Sequence, residues 1–134
     1  MIIGIGVDVV HVHRLDHWIT IPGLLERYFH PHELETARSR GHGMAVSLAA
    51  RFAAKEAFGK ALGTGLKDIV LRDIMVLNRH NGRPEIVVFG TALAALQRCG
   101  ANKIHLSLTH EHDNAIAMIV LEQVDERADG RSHE

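Results

Sequence analysis

Two glycine breaks frame the longest helix this sequence can hold. Gly41 and Gly43 interrupt the chain before Met44, and Gly63-Thr64-Gly65 stops it after Leu62, because glycine adopts helix-ending conformations at little cost. In a chain of 134 residues, one domain's worth, the other elements are left to pack around a helix of that length. On a wheel of about 100° per residue, Val46, Ala50, Ala53, Ala57 and Ala61 cluster on one arc. Glu56 and Lys60 stand at its border beside Phe52 and Gly59, and Lys55 points well away from them.

Residues 2–10 read as a buried strand, with Ile3, Ile5, Val7 and Val9 on one face and Gly4, Gly6 and Asp8 on the other. Short helices are predicted from Arg14 to Ile19, from Pro22 through Tyr28, and from His32 to Arg38 behind a first-turn Pro31. Residues 73–79 and 85–89 read as strands joined around Asn81-Gly82. Thr91 is placed to cap a helix through Leu96 that ends near Gly100. Residues 103–109 and 114–121 form a second strand pair, turning at His112-Asp113-Asn114. The expected class is α+β: an antiparallel sheet packed on one long helix, with shorter helices around it. Residues 1–122 are expected to make the domain and residues 123–134 a polar, flexible tail.

Composition narrows the function classes. A net charge of −1 provides no basic field for nucleic acid. No apolar run is long enough to span a membrane, and the N-terminus shows no secretory signal, so a cytoplasmic protein is expected. The single Cys99 excludes an internal disulfide and reads as a small core residue. Phe29, Phe52, Phe58 and Trp18 read as core or interface. The eleven histidines include His11-x-His13, expected on one strand face, and His30-x-His32 around Pro31. Neither has a cysteine partner or the spacing that marks a zinc site, so both read as structural or surface groups.

Two features point to chemistry. Asp8 stands in an apolar strand, where burying a carboxylate is costly without a cation or strong donors. It is either a structural acceptor, such as a helix cap, or a functional acid. Gly4 and Gly6 leave its face bare, so that something can lie close to the backbone. They do not form a dinucleotide-binding fingerprint, because Val9 occupies the third glycine position and the glycines lie within the strand. Glu56 and Lys60, four residues apart, are either a surface ion pair worth a few tenths of a kcal/mol or a functional pair. Gly59 favours the second reading, since a helix glycine costs about 1 kcal/mol relative to alanine and clears space beside the pair. Gly63-Thr64-Gly65 offers backbone amides to a phosphate, although it lacks the ending of a P-loop.

These residues carry a family resemblance. Gly6-Val7-Asp8-Val9-Val10 resembles the opening of holo-(acyl carrier protein) synthases, the short 4′-phosphopantetheinyl transferases. The run from Arg51 to Gly65, Arg-Phe-Ala-Ala-Lys-Glu-Ala-Phe-Gly-Lys-Ala-Leu-Gly-Thr-Gly, resembles their central signature and is the most specific part of the match. Gly82-Arg83-Pro84, Ser107-Leu108-Thr109-His110 and Ala115-x-Ala117 follow in the family's order.

The resemblance implies a transferase-like fold and a homotrimer with active sites at subunit interfaces. It implies Mg²⁺ held by Asp8 and Glu56, with coenzyme A as co-substrate and an apo acyl carrier protein or carrier domain as acceptor, in support of fatty acid synthesis. Lys60 would reach the phosphates. Arg51 and His110 would take the nucleotide's 3′-phosphate end, and Gly63, Thr64, Gly65, Arg83 and Pro84 would line the same groove. The general base would be Glu56, directly or through a metal-bound water, or else His110. Arg14, Trp18 and Arg27 would face the carrier. The family's first helix is usually rich in arginine, whereas here Arg14 stands among His11, His13, His17 and Trp18. Asp113-Asn114 also replaces a bulkier segment after the His110 strand. Two rivals are a carrier- or nucleotide-binding module without chemistry and a histidine-rich metal-binding protein.

Overall fold

A computed structural model describes residues 1–125; the rest of the expected tail, from residue 126, lies outside the described residues. The chain runs β1 (Ile2–His11), α1 (Val12–Ile19), α2 (Leu24–Tyr28), α3 (Pro31–Arg38) and α4 (Met44–Leu62). A 3₁₀ turn (Leu71–Asp73) then leads into β2 (Ile74–Asn78) and β3 (Pro84–Val88), followed by α5 (Gly90–Arg98), β4 (Lys103–Glu111) and β5 (Asn114–Glu122). The fold is α+β. β1, β5 and β4 form an antiparallel sheet with β5 in the middle, and β2 and β3 pair as a separate hairpin. Beyond β5 the chain stays tied to the body: Gln123 N–H donates to Met1 O, and the Asn102 side chain bonds both main-chain groups of Val124.

α4 lies across the sheet, and its burial extends nearly all round rather than along one arc. Ala45, Leu48, Ala49, Ala53, Ala54, Ala57, Phe58 and Ala61 are all buried. Helices of that kind sit inside a fold, and here the sheet, α1, α3 and the β2–β3 hairpin surround it. The strand faces differ from expectation. The face of β1 that meets α4 carries Gly4 and Gly6, while Ile5, Val7 and Val9 on the opposite face are 60%, 53% and 55% exposed. The reason is backbone proximity. A Cβ on Gly4 would stand 1.9 Å from Ala61 O, and one on Gly6 would stand 2.0 Å from Ala57 O. What the bare glycine face admits is α4 itself.

Local caps also depart from the sequence pattern. Thr91 does not cap α5; its N–H and hydroxyl both donate to Asp73 Oδ2, at 2.8 and 2.6 Å, so a carboxylate from the 3₁₀ turn satisfies that end. His11 and His13 do not share a strand face, because β1 ends at His11, whose Nδ1 accepts from His13 N–H at the start of α1. His30 caps α3 in a reciprocal box with Glu33. Phe29 and Phe58 are fully buried and Phe52 nearly so, and Cys99 is half-buried against the core.

Candidate active site

The seam between β1 and α4 gathers the predicted acids and lysine. Asp8 follows Gly4 and Gly6 on the face against α4, so the close backbone approach that those glycines permit brings the helix to its side chain. Lys60 Nζ donates to Asp8 Oδ1 at 2.8 Å and to Val7 O at 3.1 Å. The Asp8 hydrogen bond and charge hold the Lys60 ammonium above its ordinary pKa. Burial pushes the Glu56 carboxyl up from its usual value, the Asp8 charge adds to this, and Arg14 and Lys60 oppose it. Asp8, Glu56, Lys60 and Arg14 therefore act as one electrostatic group. Arg14 is seated by aromatic rings, its guanidinium carbon 5.3 Å from the Trp18 centroid and 5.5 Å from that of Phe52. Arg27 is exposed on α2.

Arg51 and His110 lie elsewhere. They line a cavity of about 420 Å³ together with Arg40, Ser47, Asn78 and Thr109. Arg51 is 3% exposed. Its Nη1 donates to Ser47 Oγ at 2.7 Å and its Nη2 to Asn78 Oδ1 at 3.1 Å. Its Nε is buried with no hydrogen-bond partner among the described residues. Burial pulls the Arg51 pKa down, as does nearby Arg40, against the pull of Glu33. The residues lining this cavity include two arginines and a histidine and no carboxylate, a composition suited to an anion. Ser47 and Asn78 carry no signal in the sequence, and Arg40, which reads there as added charge toward the carrier, lines this cavity instead.

On a helical wheel Arg51 stands roughly 140° from Glu56 and about 180° from Lys60. The two groups thus occupy opposite flanks of α4, and one chain does not bring them together. Arg83 and Pro84 line a second cavity with Arg79, Lys103 and His105, and Thr64 lines another with Arg98 and Cys99. The single shared groove expected for these residues is therefore not formed within one chain. The amides of Gly63 and Gly65 are not free for a phosphate either. They donate to Lys60 O and Gly59 O at 3.0 Å each, satisfying carbonyls that the helix end leaves open. Gly59 makes room for that return: a Cβ there would stand 2.8 Å from the Gly65 carbonyl carbon and 3.0 Å from the Leu66 side chain.

No group of three or more His, Cys, Asp or Glu is placed to hold a metal ion among the described residues. The exposed His105 pairs with Glu122 at 2.8 Å, and His11 and His30 serve as caps. The donor set at the seam is two carboxylates with no nitrogen or sulfur ligand. That suits a hard cation completing its shell from a substrate diphosphate and water.

A family model described as the 4′-phosphopantetheinyl transferase superfamily matches residues 4–119. The chain belongs to that superfamily. It is 56% identical over 122 residues to a holo-[acyl-carrier-protein] synthase of Treponema denticola, the match covering 91% of this chain and 99% of that one. Among solved structures, the holo-[acyl-carrier-protein] synthase of Neisseria meningitidis is 35% identical with a TM-score of 0.81, covering 92% of this chain and all of that one. The Bacillus anthracis holo-(acyl-carrier-protein) synthase, solved in complex with CoA (3′,5′-ADP), is 32% identical with a TM-score of 0.77, covering 92% and 99%. Within the superfamily the chain is thus of the short synthase type. The family span runs from Gly4, where β1 meets α4, to Ile119 in the middle strand, and so includes both flanks of α4.

Proposed function

We propose that this chain transfers the 4′-phosphopantetheine group of coenzyme A to a serine of an apo acyl carrier protein, or of a carrier domain, and releases 3′,5′-ADP. The matched family and its named relatives support the reaction. The residue assignment rests on one observation: Asp8, Glu56 and Lys60 meet at the seam where two glycines let α4 rest on β1.

The serine oxygen attacks the β-phosphorus of the coenzyme A diphosphate, and the bond from that phosphorus to the oxygen of the leaving 3′,5′-ADP breaks. Glu56 takes the serine proton. Its raised pKa makes it a better base near neutral pH than a fully solvated glutamate. Lys60, turned toward the seam by Asp8, meets the charge that develops on the leaving group. Asp8 and Glu56 would hold Mg²⁺, which when bound supplies further neutralisation of the diphosphate. Arg51, Arg40 and His110 receive the phosphorylated nucleotide in their cavity, and Arg83 and Pro84, which line a separate cavity within one chain, join that groove only in the assembled protein. Gly63, Thr64 and Gly65 shape the end of the helix that carries Glu56 and Lys60. Arg14, Trp18 and Arg27 face an acidic carrier.

The active form is a homotrimer. Two flanks of α4 carry the two halves of the site, so neighbouring copies must each contribute one half. The exposed apolar face of Ile5, Val7, Val9 and Met118 supplies surface for that contact. Residues 1–122 constitute the transferase domain. No helix among the described residues is long and apolar enough to cross a membrane, and the site of action is the cytoplasm.

The test incubates the protein with coenzyme A, Mg²⁺ and a panel of apo carriers at matched concentrations, read by mass spectrometry. At least one carrier gains a phosphopantetheine group, and EDTA abolishes the gain. Unchanged masses across the panel would overturn the assignment.

A further inference from the structure

One buried charge pair takes no part in the proposed chemistry. Lys55 on α4 and Glu33 on α3 are both fully buried, with Lys55 Nζ 2.8 Å from Glu33 Oε1. The other bonds of the ammonium go to main-chain carbonyls, Leu71 O at 3.0 Å and Ile74 O. Glu33 is equally occupied. Its Oε1 accepts from His30 N–H at 2.9 Å and its Oε2 from Val76 N–H at 2.8 Å.

Such a pair is a poor way to fill space, because apolar side chains of similar volume are often as stable or more so. Apolar groups cannot hold acceptors from separate segments in one fixed geometry, however. Here the fixed partners are telling: Leu71, Ile74 and Val76 belong to the 3₁₀ turn and the first half of β2. Arg51, one turn earlier on the same face of α4, holds the other end of β2 through Asn78 Oδ1. Asn78 Nδ2 then donates to Gly82 O, in the turn that precedes Arg83. β2 is lashed to α4 at both ends, and its far end lines the cation-rich cavity.

We propose that Glu33 and Lys55 are positioning residues for coenzyme A: they fix β2 against α4 and, through Asn78, hold the Arg51 guanidinium in place for the nucleotide. This rests on the reading of the chain as a coenzyme A-dependent transferase and of that cavity as its nucleotide end.

The test compares the parent protein, the Glu33→Gln/Lys55→Met double variant, Asn78→Ala and the triple variant. Melting curves, coenzyme A binding by calorimetry and initial rates against each substrate are measured. The double variant removes both charges together, so neither is left buried alone. It melts cooperatively but binds coenzyme A about tenfold more weakly, a loss in the range that small misplacements produce. KM for coenzyme A rises accordingly, while kcat and the carrier KM stay within about twofold. Adding Asn78→Ala to the double variant costs little more than either change alone, because both act through one contact. If the double variant does not melt cooperatively, Glu33→Gln/Lys55→Gln carries the test. It too leaves no charge buried alone and keeps polar groups for the main-chain partners, and a rise of about threefold in KM for coenzyme A is expected. A folded variant with the parental KM for coenzyme A, a loss confined to kcat, or full additivity with Asn78→Ala overturns the proposal. Absence of coenzyme A binding by the parent protein would instead overturn the reading beneath it.

Discussion

Replacing Gly6 with alanine strikes the contact on which the site depends. A Cβ there would stand 2.0 Å from Ala57 O and 2.7 Å from Ala61 N, whereas ordinary contact begins at 3.4 Å. Both obstacles are backbone, so no side chain can swing away, and α4 must retreat from β1 by roughly 1.4 Å to restore contact distance. Overpacking of this kind costs about 1–3 kcal/mol. At roughly 4 °C per kcal/mol for a chain of this size, the melting temperature should fall by about 4–12 °C. Activity should fall further. The Lys60–Asp8 bond of 2.8 Å spans the same seam, and a displacement near 1 Å at reacting groups costs about 100-fold in rate. The assay pairs thermal melting with the rate of carrier modification at saturating coenzyme A. Gly43→Ala is the control, since its Cβ would meet only Arg40 Cβ at 3.6 Å; it should stay within about 3 °C of the parent. A Gly6→Ala protein that melts with the parent and turns over at the parental rate would refute the backbone contact and the argument built on it.

Three further outcomes are expected. Glu56 has a raised folded pKa, so its ionised form destabilises the fold above that pKa, and the penalty disappears below the unfolded value near 4.5. Glu56→Gln should therefore raise the melting temperature at pH 7 by about 1–3 °C, with the difference vanishing in acid, while turnover falls at least about 100-fold. A lower melting temperature at pH 7, or near-normal turnover, contradicts this. Lys60→Met should reduce turnover about 100-fold or more without weakening carrier binding; single-turnover rates and a carrier titration check both. Val7→Asp places a charge on the exposed apolar face of β1. If the proposed trimer forms, gel filtration should show this variant as a monomer with unchanged helical circular dichroism and lost activity, and a fully active parental monomer would refute the shared site.

Signals confined to a few residues were legible in the sequence. The helix over Met44–Leu62, its glycine stop, the hairpin at Asn81-Gly82 and the pair of C-terminal strands all agree with the structure. So does the abnormality of Asp8, since a carboxylate among apolar neighbours signals a cation, and Lys60 provides one. Such features depend on local periodicity, on glycine's tolerance of left-handed backbone and on the cost of burying charge. The sequence also determined that Gly4, Gly6 and Asp8 share one face of β1.

What covers each face was decided only by tertiary packing. The periodicity of β1 separates Gly4, Gly6 and Asp8 from Ile5, Val7 and Val9, and hydropathy alone favours burying the second set. The chain buries the first against α4, because two missing Cβ atoms allow backbone-to-backbone contact. The sequence shows only that Lys55 points away from Glu56 and Lys60; α3 brings Glu33 to it from 22 positions away. Gly59 reads as cleared space beside Glu56 and Lys60 until the chain returns through Gly65 and Leu66 to fill it. Burial and the pairing of Lys55 with Glu33 are properties of segments meeting in space, which hydropathy and spacing along the chain do not specify.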